Sequence, residues 1–126
     1  ILSKYDLTYP LAGHAGDGNF HIIPLMDFKL PDTSKIIIEL GELVYDLVIK
    51  YHGSITAEHN DGLIRTPYLR KMYGDRIMEI FKEIKKIFDF KNIFNPGKKV
   101  ATESLGGTKE YIATHIAVEH NAEHKV

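Results

Sequence analysis

Tyr5-Asp6-Leu7-Thr8-Tyr9-Pro10-Leu11-Ala12-Gly13-His14-Ala15-Gly16-Asp17-Gly18-Asn19-Phe20-His21-Ile22-Ile23 places an alternating apolar run, a glycine-rich turn and a second apolar run in direct succession. From Leu2 to Ala12 the residues Tyr5, Leu7, Tyr9 and Leu11 recur at every second position, the period of a strand with one apolar face. Pro10 has no N–H to give a ladder, so it belongs at an edge or near the strand end. Gly13 to Asn19 carries the residues of a tight turn, with Gly16 and Gly18 suited to positive φ. Phe20 to Phe28 reads as the returning strand, closed by Asp27. An antiparallel β-hairpin is the expected result.

Outward from the hairpin the period changes. Pro31, Asp32, Thr33 and Ser34 supply breaker and N-cap chemistry, and Ile36, Ile37, Leu40, Leu43, Val44, Leu47, Val48 and Tyr51 then follow helical spacing. This predicts a helix over 33–51, ended by Gly53. Ser54 to Ala57 is a short extended stretch, and Thr66-Pro67 resembles an N-cap followed by proline at the first helical position. From Asp75 onward, Ile77, Ile80, Phe81, Ile84, Ile87 and Phe88 form an apolar stripe opposite Lys82, Glu83, Lys85 and Lys86, and both helical stripes read as core. Asn95-Pro96-Gly97 turns the chain. The expected fold class is α+β, a hairpin packed with two or three helices over residues 1–100. Residues 101–126 are expected to form a polar, weakly helical tail, mobile or docked on a neighbour.

The 126 residues, 44 % hydrophobic and 26 % charged, suit one domain. Sixteen basic against seventeen acidic residues leave a formal charge of −1, too little field to draw the chain onto nucleic acid or an anionic membrane. With no cysteine, disulfides, iron–sulfur ligation and thiol nucleophiles are excluded within these residues. Apolar runs such as Ile36 to Ile38 are far shorter than a membrane span, and no signal-peptide pattern opens the chain, so a soluble, cytoplasmic domain is expected. An opening at Ile1 rather than methionine suggests a fragment of a longer protein.

The chemistry sits in His14 to His21 and in Ala57-Glu58-His59-Asn60-Asp61-Gly62. A tight turn sets its flanking residues side by side, so His14 and His21 converge on one point, and Glu58 completes a set of two imidazoles and a carboxylate. Such a set, with an open position, suits Zn²⁺, Fe²⁺ or Mn²⁺ and a substrate oxygen. His59 is the candidate general base. Arg65 has the geometry to clamp a substrate carboxylate. Plainer roles stay open: hydrogen-bonded histidines, a solvated Glu58, a turn residue at Asp17, a surface ion pair at Arg65, and solvated lysines at Lys98 and Lys99. No partner pattern surrounds His52, His115, His120 or His124.

Gly13-His14-Ala15-Gly16-Asp17-Gly18-Asn19-Phe20-His21, Gly53-Ser54-Ile55-Thr56-Ala57-Glu58-His59 and Phe94-Asn95-Pro96-Gly97-Lys98 occur in the order and approximate spacing of the C-terminal domain of FAD-linked oxidases. That family, among the vanillyl-alcohol-oxidase-like flavoproteins, includes D-lactate, glycolate and D-2-hydroxyglutarate dehydrogenases. The resemblance covers roughly residues 5–100. It implies a ferredoxin-like α+β cap, here its second half, and a Zn or Mn site of His14, His21 and Glu58 holding a 2-hydroxy acid over the flavin. His59 matches the base that takes the hydroxyl proton as the α-hydride passes to FAD, yielding a 2-oxo acid. The resemblance also makes Arg65 a substrate contact and places Asn95 and Lys98 on the cofactor side. FAD itself would be bound mainly by an upstream domain, since nothing here resembles a dinucleotide cradle, and this chain alone should not turn over substrate.

Asn60 stands where the family's glutamate–histidine motif usually continues with glycine, and Ile23 where hydroxyglutarate-type members carry asparagine. Asp61-Gly62-Leu63-Ile64-Arg65-Thr66-Pro67 looks most like D-lactate-type proteins that continue into an iron–sulfur region, so an iron–sulfur domain or subunit is a partner the resemblance implies. The full-length protein could then lie peripheral to a membrane. The expected function is therefore that of a D-lactate-like, FAD-dependent dehydrogenase fragment, whose uncovered sheet edge and apolar face a homodimer would cover. The alternatives are a non-catalytic metal-binding or oligomerisation module and a metal-dependent hydrolase in which His14, His21 and Glu58 activate water.

Overall fold

The computed structural model describes residues 1–100 and 108–115, the side chain of His115 excepted. The chain is a small α+β unit: β1 (Leu11–Ala12), β2 (His21–Ile22), α1 (Thr33–Lys50), α2 (Gly62–Arg65), α3 (Leu69–Phe88) and α4 (Lys109–His115). Short 3-10 turns cover Leu2–Lys4, Ala15–Asp17 and Thr66–Tyr68.

The hairpin forms, but its regular strands are two residues each rather than the long runs the alternation predicts. β1 and β2 pair antiparallel, Leu11 opposite Ile22 and Ala12 opposite His21. The same register continues outward, with Ile23 N–H donating to Pro10 O at 3.2 Å and Leu25 N–H to Thr8 O at 2.9 Å. Pro10 cannot return a bond to its opposite number, and Pro24 follows one residue later on the other strand. The ladder is thereby thinned on both sides, and Leu2–Lys4 coils into a 3-10 turn instead of extending it.

The turn closes through Asp17 N–H to His14 O at 2.8 Å and Asn19 N–H to His14 O at 3.2 Å. Gly13, at φ 134°, is required twice over, because a Cβ there would lie 2.3 Å from Asn19 O. Gly18, not Gly16, is the left-handed residue within the turn, since Gly16 lies inside the 3-10 segment.

Helix α1 matches the predicted span. Its stop, however, is His52 at φ 58°, one residue before the expected Gly53. His52 N–H bonds Ile49 O and Gly53 N–H bonds Val48 O, both at 2.9 Å, the paired bonds that satisfy the last carbonyls of a helix ending in a left-handed residue.

The second helical region starts earlier than Thr66-Pro67 suggests. Helix α2 begins at Gly62, a 3-10 turn carries Pro67, and α3 runs on with a break at Gly74 (φ 74°, ψ 169°). Tyr68 and Leu69 at this junction are essentially fully buried and pack with Ile55 and Met78, flanked by Tyr45, Val48, Ile49, Met72, Tyr73 and Phe81. Burial pushes the Tyr68 hydroxyl up to about 12, with Glu42, Tyr45 and Asp46 adding to the shift, so it stays neutral in the core.

The apolar stripe of α3 is not core along its length. Met78 and Phe81 reach the core, but farther along the same helix Ile84 is 48 % exposed, Ile87 74 % and Phe88 81 %. Residues 108–115, by contrast, dock on α1. Ile112 is buried, Lys109 pairs with Glu42, and the Lys109 ammonium lies 5.6 Å from the centre of the Tyr68 ring. Between the hairpin, α1 and α4 lies an apolar cavity of about 310 Å³ bordered by Ile22, Met26, Leu40, Val44 and Ile112. The remaining tail positions expected from the sequence lie outside the described residues. No helix among the described residues is long and apolar enough to cross a membrane.

Candidate metal and substrate site

The turn geometry delivers the histidines. Ala12 pairs with His21, so the chain leaves β1, reaches His14 two residues later and returns at the start of β2 with the two rings edge to face. Their centroids are 6.2 Å apart at 81°. Glu58 arrives from a segment anchored in the core. Buried Ile55 donates its N–H to Met72 Sδ at 3.4 Å, and Ser54 Oγ accepts Thr56 N–H at 3.2 Å, fixing the backbone three residues ahead of the carboxylate.

Three imidazoles surround the Glu58 carboxylate. His14 Nε2 lies 3.1 Å from Oε2, while His21 Nε2 and His59 Nε2 lie 2.9 and 3.0 Å from Oε1. His21 and His59 stack edge to face at 5.1 Å. The candidate ligand atoms of His14, His21 and Glu58 all fall within 4.8 Å of one another, and among the described residues this is the one group of three metal-capable side chains. Although His21 Nε2 lies close to Glu58 Oε1, it is buried and without a hydrogen-bond partner. A buried ring nitrogen in that state, aimed at a carboxylate and beside a second imidazole, fits a divalent cation. His14 and His59 are each 62 % exposed, so the cluster is open to solvent on one side.

Asn60 adopts φ 54° in the place where glycine was the expected residue. Its Oδ1 accepts the Asp61 N–H at 2.8 Å, a local bond that supports the left-handed conformation. Arg65 lies beneath this loop, its Nη1 donating to Asn60 O at 2.9 Å. Burial raises the neighbouring Tyr45 hydroxyl, and the charge and hydrogen bond of Arg65 offset part of that rise. Asn95 and Lys98 sit on the turn after α3 and bond to each other, Lys98 Nζ to Asn95 Oδ1 at 3.1 Å, rather than to the imidazole cluster. Ile23 is half exposed beside β2.

The sequence reading gave no role to Asp61 or Asp89, and Lys99, read as a solvated lysine, is paired with Asp61. Asp89 organises the approach to the Asn95 turn, accepting Ile93 N–H and Phe94 N–H at 2.9 Å each and pairing with Lys85 at 2.5 Å. Burial pushes its carboxyl upward, but the Lys85 hydrogen bond, the two amides and the Lys85 charge outweigh this and hold it below the ordinary carboxylate value. A depressed carboxyl stabilises the fold above its unfolded value and loses that contribution as pH falls through the folded one. The stability difference between the native chain and Asp89→Ala should therefore be full at neutral pH and shrink below about pH 4. Urea titrations at a series of pH values check it, and a difference that does not change with pH would contradict the assignment.

A family model described as "FAD linked oxidases, C-terminal domain" matches residues 1–99. Glycolate oxidase subunit GlcD of Bacillus subtilis (strain 168) is 34 % identical over 104 residues, 82 % of this chain and 22 % of that protein. A probable mitochondrial D-lactate dehydrogenase of Danio rerio is 34 % identical over 97 residues, 77 % of this chain and 20 % of that protein. D-2-hydroxyglutarate dehydrogenase of Haemophilus influenzae is 32 % identical over 98 residues, 78 % of this chain and 9 % of that protein. The chain thus spans about a fifth of the length of the first two of these relatives, and less of the third.

Proposed function

This chain belongs to the family of FAD linked oxidases, C-terminal domain, and from that premise we propose that it is the substrate-side part of an FAD-dependent 2-hydroxy-acid dehydrogenase, D-lactate-like in type. The observation that carries the reading is the convergence of His14, His21 and His59 on the single carboxylate of Glu58. Glycolate, D-lactate and D-2-hydroxyglutarate relatives match at 34, 34 and 32 % identity, so identity supports the 2-hydroxy-acid class, while the run Asp61 to Pro67 favours the D-lactate type.

In this reading His14, His21 and Glu58 hold a Zn or Mn ion. The ion would supply Lewis acidity toward the substrate hydroxyl and carboxylate, and FAD, carried elsewhere in the enzyme, would supply the two-electron acceptor. His59 takes the hydroxyl proton, its ring oriented by Glu58 Oε1 and open to incoming substrate. Arg65 binds the substrate carboxylate through donors other than the Nη1 group engaged on Asn60. The Asn95 turn, with Lys98, faces the cofactor. A ferredoxin-like cap, an upstream FAD-binding domain, an iron–sulfur partner and a cytoplasmic, membrane-peripheral location complete the proposal. The exposed Ile84, Ile87 and Phe88 face supports a partner domain or second copy at α3.

The full-length enzyme, assayed for dye reduction with D-lactate, glycolate and D-2-hydroxyglutarate, tests the function. Reduction with D-lactate that is lost on chelation and restored by Zn²⁺ or Mn²⁺ is expected. A flavin-loaded enzyme that reduces dye with none of the three acids would overturn it.

A further inference from the structure

We infer that Lys99 is a positioning residue for the Glu58 loop, acting from the surface through an ion pair with the buried Asp61, an inference that rests on the metal-site reading above. Asp61 is only 1 % exposed, three residues beyond Glu58 and at the N-cap of α2. Its two carboxylate oxygens have no hydrogen-bond partner, and the charge that compensates them is the Lys99 ammonium, 2.7 Å from Oδ2. A carboxylate this deeply buried needs such a partner.

Lys99 is held at a second point. Its N–H donates to Thr66 Oγ1 at 2.8 Å, and the Thr66 hydroxyl donates to Gly62 O at 2.5 Å, one residue past Asp61. The backbone of Lys99 is left-handed at φ 60°, which a lysine adopts only where its surroundings impose it. Its ammonium also lies 5.3 Å from the centre of the Phe81 ring. These contacts join two segments 38 positions apart, the Glu58 loop and the turn that carries Asn95 and Lys98.

Movement at Asp61 has a short path to the site. Between Asp61 and Glu58 stand His59 and Asn60, and Asn60 is pinned by its own N–H on Ala57 O at 3.0 Å, by its Oδ1 on Asp61 N–H and by its carbonyl on Arg65. With no slack in those residues, releasing Asp61 releases the carboxylate that three imidazoles share. The latch therefore sets both the metal-ligand geometry and the register between the substrate loop and the turn after α3.

A single Lys99→Met change would strand a buried carboxylate and threaten the fold, so the test uses the double variant Asp61→Asn/Lys99→Met, which removes both charges, beside Lys99→Arg, which keeps the pair. Two readouts are taken on the chain, amide hydrogen exchange by NMR and Zn²⁺ affinity by calorimetry. In the double variant, exchange at Asn60 and Asp61 should rise about tenfold or more while the amides of α1 keep native rates. Zn²⁺ affinity should fall about tenfold or more, and Lys99→Arg should keep both at native values. Unchanged exchange at Asn60 and Asp61 in the folded double variant, or a rise shared equally by α1, would overturn the latch. Should the native chain bind no Zn²⁺ while the localised exchange pattern appears, the metal reading fails and the latch stands.

Discussion

Replacing Glu58 with alanine should lower the Zn²⁺ affinity of this chain by about 100-fold or more, because changes behind a ligand already cost 10–100-fold and this one removes a proposed ligand itself. Glu58 is the common contact of the cluster, with His14, His21 and His59 within 3.1 Å of its two oxygens. Without it, two imidazoles remain for the ion, and His59 loses the group that orients its ring. The native chain, given Zn²⁺ at roughly 100 times its dissociation constant, should gain about 2.7 kcal/mol of stability, and the variant about 0.4 kcal/mol or less at the same concentration. Calorimetry and thermal melts with and without Zn²⁺ measure both effects. Asp17→Ala, in the exposed turn between the histidines, is the matched control and should bind as the native chain does. Equal affinity for the native chain and Glu58→Ala would remove the carboxylate from the site.

The largest effect on stability should come from Leu69→Ala. Leu69 has no exposed surface and lies against Ile55, Tyr68 and Met78 where α3 begins. Truncating a leucine in such a position costs about 3 kcal/mol, a large part of the ~5–15 kcal/mol that holds a domain together. In a domain of this size the melting temperature should fall by roughly 10 °C or more. Ile87→Ala makes the opposite case. Ile87 belongs to the same helix and the same apolar pattern but is 74 % exposed, so its loss should change stability by no more than about 0.5 kcal/mol. Urea unfolding of the two variants side by side decides the matter. A cost at Ile87 equal to that at Leu69 would mean that the α3 face is covered in solution.

Leu69 and Glu58 are linked through Ile55. That residue belongs to the same buried cluster and sits three positions before the carboxylate, so the core and the site share one short segment. Local rigidity at the site thus follows from burial three residues away on either side, at Ile55 and Asp61, not from the loop's own composition.

Much of this was open to reading from the amino-acid sequence by itself. The turn between His14 and His21, the helix from Thr33 and the breaker at Asn95-Pro96-Gly97 all rest on short-range rules: side-chain period, proline's missing N–H, and glycine's access to positive φ. Those rules act over a few residues, and there they served well. They misplaced what depends on neighbours distant in the chain. Ile84, Ile87 and Phe88 carry the periodicity of a buried stripe, yet periodicity says only which face seeks a partner and not whether one is present. The left-handed end of α1 is a local exception: His52, not Gly53, takes it, with His52 N–H on Ile49 O and Gly53 N–H on Val48 O. Only the tertiary structure brought Glu58 across 37 positions to His21, buried Asp61, and set Lys99 against it. Such closures are decided by packing and by the desolvation of charge, which depend on the whole arrangement of the chain and leave no local mark at Asp61 or Lys99.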